Sequence, residues 1–388
     1  MSVSHSVDGW RERPARAPAL DAGLAGACFA SLDDSPRWFF ATTAGQLIGA
    51  DLSTGERFFE ARLPFSAIVG DRNPAWLAIT MAPSDDGRFV AVAQRRGLEG
   101  AVFDVSTGKV VLELRRGDYH PEHCTFPIRF LDDCRLVHAV EWNQLGLTDC
   151  RTITRLDPNP EQTKLDYFFG ALERSPNRQR LASTGWVWHP LGIVGSLDVK
   201  TWLEGQEPDL TWMTQSDVWD SAMCWVDDER IATESLGMGE DVLVIQRPGD
   251  EEPLVTAPCP MSAELAMRRD ELLSLGSITR AYDITTLAER ASSPVSTAAW
   301  HPGTQEALSF TTPDGGGPWR LLSRPRAPWR ISDSVRSLAR QVQAAPSVEG
   351  RLVLADALEV AGHDGEALEH LKTHGAHERC FVVDDLAE

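Results

Sequence analysis

Residues 79–92 read ITMAPSDDGRFVAV, which is an apolar strand, a polar turn and a second apolar strand. Asp, Asn and Gly favour such turns because they tolerate left-handed backbone and hydrogen-bond to their own main chain. The same pattern recurs along most of the chain, with turns at positions 34, 86, 133, 177, 228, 270 and 303. The mean step between these turns is about 45 residues, which is typical of a four-stranded β-propeller blade.

A second recurring feature is an Asp that follows an apolar residue at the expected end of a third strand. It occurs in five copies, at Asp51, Asp104, Asp157, Asp198 and Asp283. In the first two copies a Ser-Thr-Gly turn comes next, and a fourth apolar strand follows it. The pattern therefore predicts four antiparallel strands in each copy.

The recurring pattern resembles WD40 repeats in a degenerate bacterial form. The Trp of the family's Trp-Asp dipeptide is replaced, and no Gly-His dipeptide precedes a blade. The resemblance implies a mainly β fold, a seven-bladed WD40-like β-propeller over residues 20–330. A β-sandwich, or two stacked β domains, is the alternative for a strand-rich sequence with regular turns. Residues 1–19 form an N-terminal segment, and a strand within 9–20 is expected to close the last blade and remove an exposed sheet edge.

Residues 331–388 are predicted to form a small α-helical C-terminal domain. Apolar positions 335, 338, 339 and 342 define one face of a first helix, and positions 352, 354, 355, 358 and 360 define a second. A third helix is predicted from Asp364. The stretch RLVLADALEVAG at 351–362 resembles the repeat-companion domain of bacterial genomes, and residues 364–368 resemble a tetratricopeptide hairpin. One such hairpin cannot bury its own apolar face, so we expect it to dock on another element.

The charge balance limits the classes of partner. Lys and Arg total 37 against 57 Asp and Glu, which gives a net charge of -20 at pH 7. Such a surface repels phosphates, which argues against nucleic acid and against anionic membranes as partners. It favours a protein or peptide partner with basic or apolar residues.

The cellular compartment is predicted from three features of the sequence. The first residues lack a charged segment followed by an apolar run, so we expect no signal peptide. No stretch approaches the roughly 18 apolar residues of a membrane span. The seven Cys include no Cys-x-x-Cys pair, which is typical of reduced thiols. We therefore predict a cytoplasmic protein.

Motifs for chemistry are few. The sequence has no glycine-rich phosphate loop and no Gly-x-Ser-x-Gly elbow, so we predict a protein that is not an enzyme and has no catalytic residue or cofactor. Two clusters contain residue types that zinc binds: His120 and His123 with Cys124, and His370 and His374 with Cys380. We interpret both as solvated loops and predict no metal, but the sequence leaves open whether either binds one.

The tryptophan residues indicate a recognition face. In a propeller, the loops between second and third strands and the links between blades share one face, and several Trp residues fall in or beside them. Trp is favoured at interfaces because it offers a large rigid area and one hydrogen-bond donor. Capping of the core is the equal alternative for these residues. The predicted partner-binding residues are Trp76, Trp142, Trp186, Trp188, His189, Trp212, Trp219 and Asp220.

These observations favour a non-catalytic scaffold or adaptor. The propeller loop face would bind a protein or peptide, and the helical tail would dock a second element. One alternative is a propeller enzyme or small-ligand binder at the central channel, with His189, His120, Glu141 and Asp220 as candidate residues. The other alternative, a regulatory or sensor subunit of a bacterial signalling or defence system, rests on the resemblance alone.

Overall fold

The computed structural model describes most of the chain. The described residues are 5–7, 10–33, 35–69, 77–156, 166–188, 191–204, 211–216, 219–237, 240–259, 264–310, 318–323, 333–345, 347–360, 371–372 and 383. Two compact units are present. The first comprises Met1–Leu32 and Pro36–Leu322, and the second comprises Asp33–Ser35 and Ser323–Glu388. The predicted boundaries at residues 20 and 330 stay predictions.

The first unit is built from short strands. In chain order they are β1 His5–Val7, β2 Trp10–Pro14, β3 Leu24–Phe29, β4 Arg37–Thr42, β5 Gln46–Asp51, β6 Arg57–Arg62, β7 Ile79–Pro83, β8 Phe89–Gln94, β9 Glu99–Asp104, β10 Lys109–Arg115, β11 Ile128–Phe130, β12 Arg135–Glu141, β13 Gln144–Asp149, β14 Thr154–Arg155, β15 Phe168–Arg174, β16 Arg180–Val187, β17 Leu191–Asp198, β18 Thr211–Ser216, β19 Met223–Trp225, β20 Ile231–Gly237, β21 Glu240–Gln246, β22 Val255–Pro258, β23 Glu264–Arg268, β24 Glu271–Leu275, β25 Thr279–Asp283, β26 Glu289–Ser293, β27 Thr297–His301, β28 Glu306–Ser309 and β29 Arg320–Ser323. A short helix, α1 Val199–Leu203, lies between β17 and β18.

The strands form seven sheets. Six sheets each contain four consecutive strands in the order first to fourth, starting at β3, β7, β11, β15, β19 and β23. The first strands of neighbouring sheets contact one another, and β27 of the seventh sheet contacts both β23 and β3, which closes the ring. The prediction of a mainly β, seven-bladed propeller is confirmed.

The seventh sheet combines both ends of the first unit. Its strand order is β1-β2-β29-β28-β27, so the N-terminal strands supply its outer edge. Trp10 of β2 is fully buried in a cluster that includes Leu322 of β29. Arg13 forms an ion pair with Glu306, with Nε 2.5 Å from Oε1. Pro14, which cannot donate a main-chain hydrogen bond, is the last residue of β2.

The core lies between adjacent sheets, where apolar side chains from two neighbours interlock. Phe39 and Phe103, for example, join the first and second sheets. Trp38 and Trp319 are buried together at the junction of the first and seventh sheets. Inner strands such as β8 therefore bury side chains on both faces, which explains their nearly continuous apolar runs, whereas an outermost strand such as β14 is exposed.

The recurring Asp closes the turn after the third strand. Asp51, Asp104 and Asp283 each accept the backbone N–H groups two and three residues ahead. In the third sheet this residue is Asp149, which bonds to the N–H groups of Arg151 and Thr152. Asp157, which was predicted at this position, lies outside the described residues; the prediction was wrong, because β13 ends at Asp149 and the preceding residue is a Thr.

The second unit contains two described helices, α2 Asp333–Ala344 and α3 Val348–Val360. Val335, Ala339 and Val342 of α2 pack with buried residues of α3, among them Leu354 and Leu358. Leu352 was predicted on the buried face but is exposed, and Arg351 is buried instead. Most of the predicted third helix lies outside the described residues. Among the helices that the structure describes, none is long and apolar enough to cross a membrane.

Candidate functional site: an aromatic cluster on the loop face

The loop face is the end of the ring that carries the turns between second and third strands and the links between sheets. On it lies an aromatic cluster, which we define as Tyr119, His120, His123, Trp142, Phe168, Trp186, Trp188 and Trp219. Its members come from the third and fourth sheets and from the links that precede the third and follow the fourth. The structure thus brings together four of the predicted Trp residues: Trp142, Trp186, Trp188 and Trp219.

The base of the aromatic cluster is a stack of rings. Phe168 and Trp186 are cross-strand partners in β15 and β16, and their ring centroids lie 3.8 Å apart with planes only 6° from parallel. Trp219 stacks against Trp186 at 5.5 Å. A Cβ at Gly185 would lie 2.1 Å from the carbonyl oxygen of Phe168, so this close approach of the two strands requires glycine.

The outer part of the cluster is exposed. Tyr119 and Trp188 have 43 % and 45 % of their surface accessible, and their ring centroids are 5.7 Å apart. Trp142 contacts both rings, at 5.6 and 6.4 Å, and its carbonyl accepts the backbone N–H of Phe169. The exposed rings therefore rest on a rigid aromatic base instead of projecting freely from a loop.

Arg116 holds the link that carries Tyr119, His120 and His123. Its buried guanidinium donates hydrogen bonds to the carbonyls of Gly97 and Pro121 at 2.7 Å and of Cys124 at 3.1 Å. It also lies 5.0 Å from the centroid of the Phe126 ring, a cation–π contact. Nothing in the local sequence marks this role, because the acceptors come from two separate loops.

Asp220 was predicted as an accessible acidic residue of the face, but its side chain is only 9 % exposed. Its carboxylate pairs with Arg95 and Arg96, each at 3.3 Å, and accepts the Thr125 hydroxyl at 2.7 Å. Burial alone would raise the pKa of Asp220, but Arg95, the Thr125 hydroxyl and Arg96 lower it below its ordinary value. The residue therefore joins the second and fifth sheets and is not available to a partner.

The remaining predicted residues are placed differently. Trp186 belongs to strand β16 and not to the loop that follows it. It is only 5 % exposed and packs beneath the exposed ring of Trp188. The backbone of Trp212 pairs with Gly195 in β18, the outermost strand of its sheet. Trp76 and His189 lie outside the described residues. Tyr119 and Phe168 were not predicted from the sequence; the aromatic run 167–169 before the fourth turn is the signal that could have found Phe168.

Two exposed carboxylates flank the outer rings. Asp118 precedes Tyr119, and Glu141 precedes Trp142. A Cβ placed on Gly117 would lie 2.0 Å from Oε2 of Glu141, so this carboxylate packs directly on the link that carries Tyr119. The surface beside the rings therefore carries negative charge.

A separate cavity of about 230 Å³ lies at the centre of the ring, lined by all seven first strands. Its charged groups pair with one another: Nη2 of Arg129 lies 2.8 Å from Oε2 of Glu173, and Arg95 pairs with Asp220. Burial, and next the Glu173 carboxylate, raise the pKa of Glu264 to about 8. The cavity thus holds a neutral acid and compensated ion pairs around neutral pH.

Comparison with solved structures shows the same architecture. The structure described as "Structure of U3-55K" aligns with a TM-score of 0.55 at 10% sequence identity, covering 80% of this chain and 98% of that one. The "Crystal structure of RRP9 WD40 repeats" aligns with a TM-score of 0.56 at 10% identity, covering 83% and 99%. No family model matches the sequence. No curated protein matches it either. The chain is a seven-bladed β-propeller with WD40-repeat structural neighbours.

Proposed function

We propose that this protein is a non-catalytic scaffold or adaptor whose loop face binds a protein or peptide through the exposed rings of the aromatic cluster. The observation that carries the proposal is the pair Tyr119 and Trp188, exposed and backed by the buried Phe168–Trp186 stack. The helical C-terminal unit docks a second element. The protein acts in the cytoplasm, without nucleic acid or membrane as partner.

The exposed rings of the aromatic cluster are preorganised for binding. An exposed ring that is already held by packing loses little conformational freedom when a partner covers it, so more of the contact free energy appears as affinity. Trp and Tyr also dominate binding energy at interfaces because each buries a large rigid surface. Tyr119 and Trp188 meet both conditions.

The charges favour a partner with basic residues. Asp118 and Glu141 lie beside the outer rings, and the whole chain carries a net charge of -20. A Lys or Arg of a bound peptide can therefore lie over a ring face and near a carboxylate at once. The central cavity supports the small-ligand alternative less well, because its charged side chains are already paired.

Selection from a random peptide display library against the immobilised full chain tests the proposal. We expect enriched peptides with Lys or Arg next to aromatic or aliphatic residues. Their affinity should fall at least about tenfold for the double variant Tyr119→Ala/Trp188→Ala, which removes two interface anchors. Measurement is by fluorescence anisotropy of labelled peptides at two salt concentrations, since charge-assisted binding weakens with salt.

Leu254→Ala is the matched control, because Leu254 is 46 % exposed and lies in the turn between third and fourth strands, on the opposite face. The Leu254→Ala variant should bind the selected peptides with the same affinity as the wild type. Failure to enrich any peptide, or peptides that bind the double variant as tightly as the wild type, would refute the proposed face. Competition by a structured RNA at equal affinity would instead overturn the exclusion of nucleic acid.

A further inference from the structure

Three metal-ligating side chains, two of them members of the aromatic cluster, converge at the turn of 3-10 helix Pro121–His123 and its N-cap residue His120. The ring centroids of His120 and His123 lie 5.6 Å apart, so the two imidazoles fall on the same side. Glu122 lies between them. One ligand atom from each of these three residues lies within 4.8 Å of the others.

We propose that His120, Glu122 and His123 bind a zinc ion. Oε1 of Glu122 lies 3.3 Å from Nε2 of His123 and 3.7 Å from Nδ1 of His120. Zinc bonds of about 2.0–2.1 Å to imidazole and carboxylate, in tetrahedral geometry, place neighbouring ligand atoms about 3.3 Å apart. The observed separations therefore need only small side-chain rotations to close around the ion.

The turn is held in place before any ion binds. His120 has φ +51°, a left-handed conformation, and its carbonyl accepts the backbone N–H of His123. Arg116 fixes the carbonyl of Pro121, between His120 and Glu122, and that of Cys124, directly after His123. The ring of Trp219 packs against that of His123 with centroids 5.1 Å apart.

The ligand set differs from the cluster that the sequence suggested. Cys124 is buried, its Sγ lies 3.9 Å from Nη1 of Arg116, and it does not belong to the converging set. Glu122 takes its place.

Two imidazoles and one carboxylate leave a fourth position of zinc open. The side chains of His120 and Glu122 are each 41 % exposed, so this position faces solvent beside Tyr119 and Trp188. Water fills it in the free protein, and a donor atom of a bound partner can replace the water. The metal site does not depend on the proposed peptide-binding function.

Zinc titration of the full chain, stripped with EDTA and freed of any affinity tag, tests the site by calorimetry. We expect one ion per chain at neutral pH. The single variants His120→Asn, Glu122→Gln and His123→Asn should each bind it at least about tenfold more weakly, since even loss of an outer partner costs about 10–100-fold. Asn suits position 120 because it tolerates left-handed backbone. Co²⁺ in place of Zn²⁺ should give the visible absorption of a four- or five-coordinate site.

Two controls make the result decisive. Glu113→Gln removes an exposed carboxylate of β10 outside the ligand set and should leave the affinity unchanged. His370→Asn/His374→Asn removes the other histidine cluster and should also leave it unchanged. The proposal would be overturned if the wild type bound no zinc, or if the Glu122 and His123 variants bound zinc as tightly as the wild type. Loss of zinc binding only in the His370/His374 variant would also overturn it. Binding that weakens as the pH falls below about 6, where free imidazole is protonated, would support it.

Discussion

At the scale of single residues, Trp186 and Trp188 are two positions apart in sequence and have different surroundings. Trp186 is enclosed between Phe168 and Trp219, whereas Trp188 is the outermost ring of the aromatic cluster. Truncating a buried aromatic removes its packing and leaves a cavity, which costs about 3–5 kcal/mol. We therefore expect Trp186→Ala to lower the free energy of unfolding by that amount in urea denaturation.

Trp188→Ala is the matched comparison at the residue scale. An exposed side chain contributes little to folding, so its removal should change the free energy of unfolding by less than about 0.5 kcal/mol. The variant should lose affinity for selected peptides instead. Equal destabilisation by the two substitutions would contradict the division between buried base and exposed edge.

Glu264 predicts an unusual dependence of stability on pH. Its pKa is raised to about 8 in the folded protein, against about 4.3 for an unfolded Glu. Between these values only the unfolded state has released the proton, so the free energy of unfolding falls by about 1.4 kcal/mol for each unit of pH rise. Glu264→Gln cannot release a proton, and this variant should therefore lose less stability than the wild type from about pH 5 to 8.

Urea denaturation at several pH values measures this effect. The exposed carboxylate variant Glu141→Gln serves as its control and should follow the wild-type curve. Parallel curves for Glu264→Gln and the wild type over this range would show that Glu264 is ionised in the folded cavity.

At the scale of elements, the turn after each third strand depends on its Asp. Asp104 accepts the backbone N–H groups of Ser106 and Thr107 at 2.9 and 3.1 Å, and its pKa is lowered mainly by the hydrogen bond from the Ser106 hydroxyl. This stabilisation is present above the ordinary Asp pKa and is lost as the pH falls through the lowered value. Asp104→Ala should cost about 1–2 kcal/mol at neutral pH.

Asp133 offers a comparison within another turn of the repeat. Its side chain is 50% exposed and its ion pair with Arg151 spans 3.9 Å. Such pairs contribute at most about 1 kcal/mol and commonly less. Asp133→Ala should therefore change the midpoint of thermal unfolding far less than Asp104→Ala, and equal shifts would contradict the turn-closing role.

At the scale of the whole molecule, the ring depends on strands from both ends of the first unit. Removal of residues 1–16 deletes the buried Trp10 and the Arg13–Glu306 ion pair, and it leaves β29 as an open edge. Unpaired edge strands associate with other chains. We expect this truncation to lower the midpoint of thermal unfolding and to form oligomers in size-exclusion chromatography.

A truncation of residues 1–4 only, which ends before β1, is the control for this experiment. It should elute and unfold as the full chain does. A monomeric and equally stable chain without residues 1–16 would show that the N-terminal strands are dispensable for ring closure.

The ring was predictable because its signals are local and repeated. Turn residues such as Asp86 and Gly87 act within a few positions of themselves, and seven copies at one period outweigh the ambiguity of any one. The same local method assigned the wrong Asp in the third sheet, because Thr148 interrupts the expected apolar residue before Asp149.

The site was predictable only in part. The Trp residues of the loop face were named from the sequence, since loop position follows from the repeat. The surroundings of the predicted site residues could not be named. Asp220, for example, pairs with Arg95 and Arg96, which belong to a sheet more than a hundred positions earlier in the chain. Such pairing depends on closure of the ring and leaves no pattern in the neighbouring sequence.

Turn chemistry and composition act locally or on the whole chain, and they were enough to predict the seven-bladed ring, the Trp-rich loops and the negative net charge. Three properties were visible only in the folded chain: the burial of Trp186 beside an exposed Trp188, the anchoring of the link at 116–126 by Arg116, and the convergence of Glu122 with His120 and His123. The first two depend on contacts with segments distant in sequence, and the third depends on the left-handed backbone at His120, which no local pattern shows.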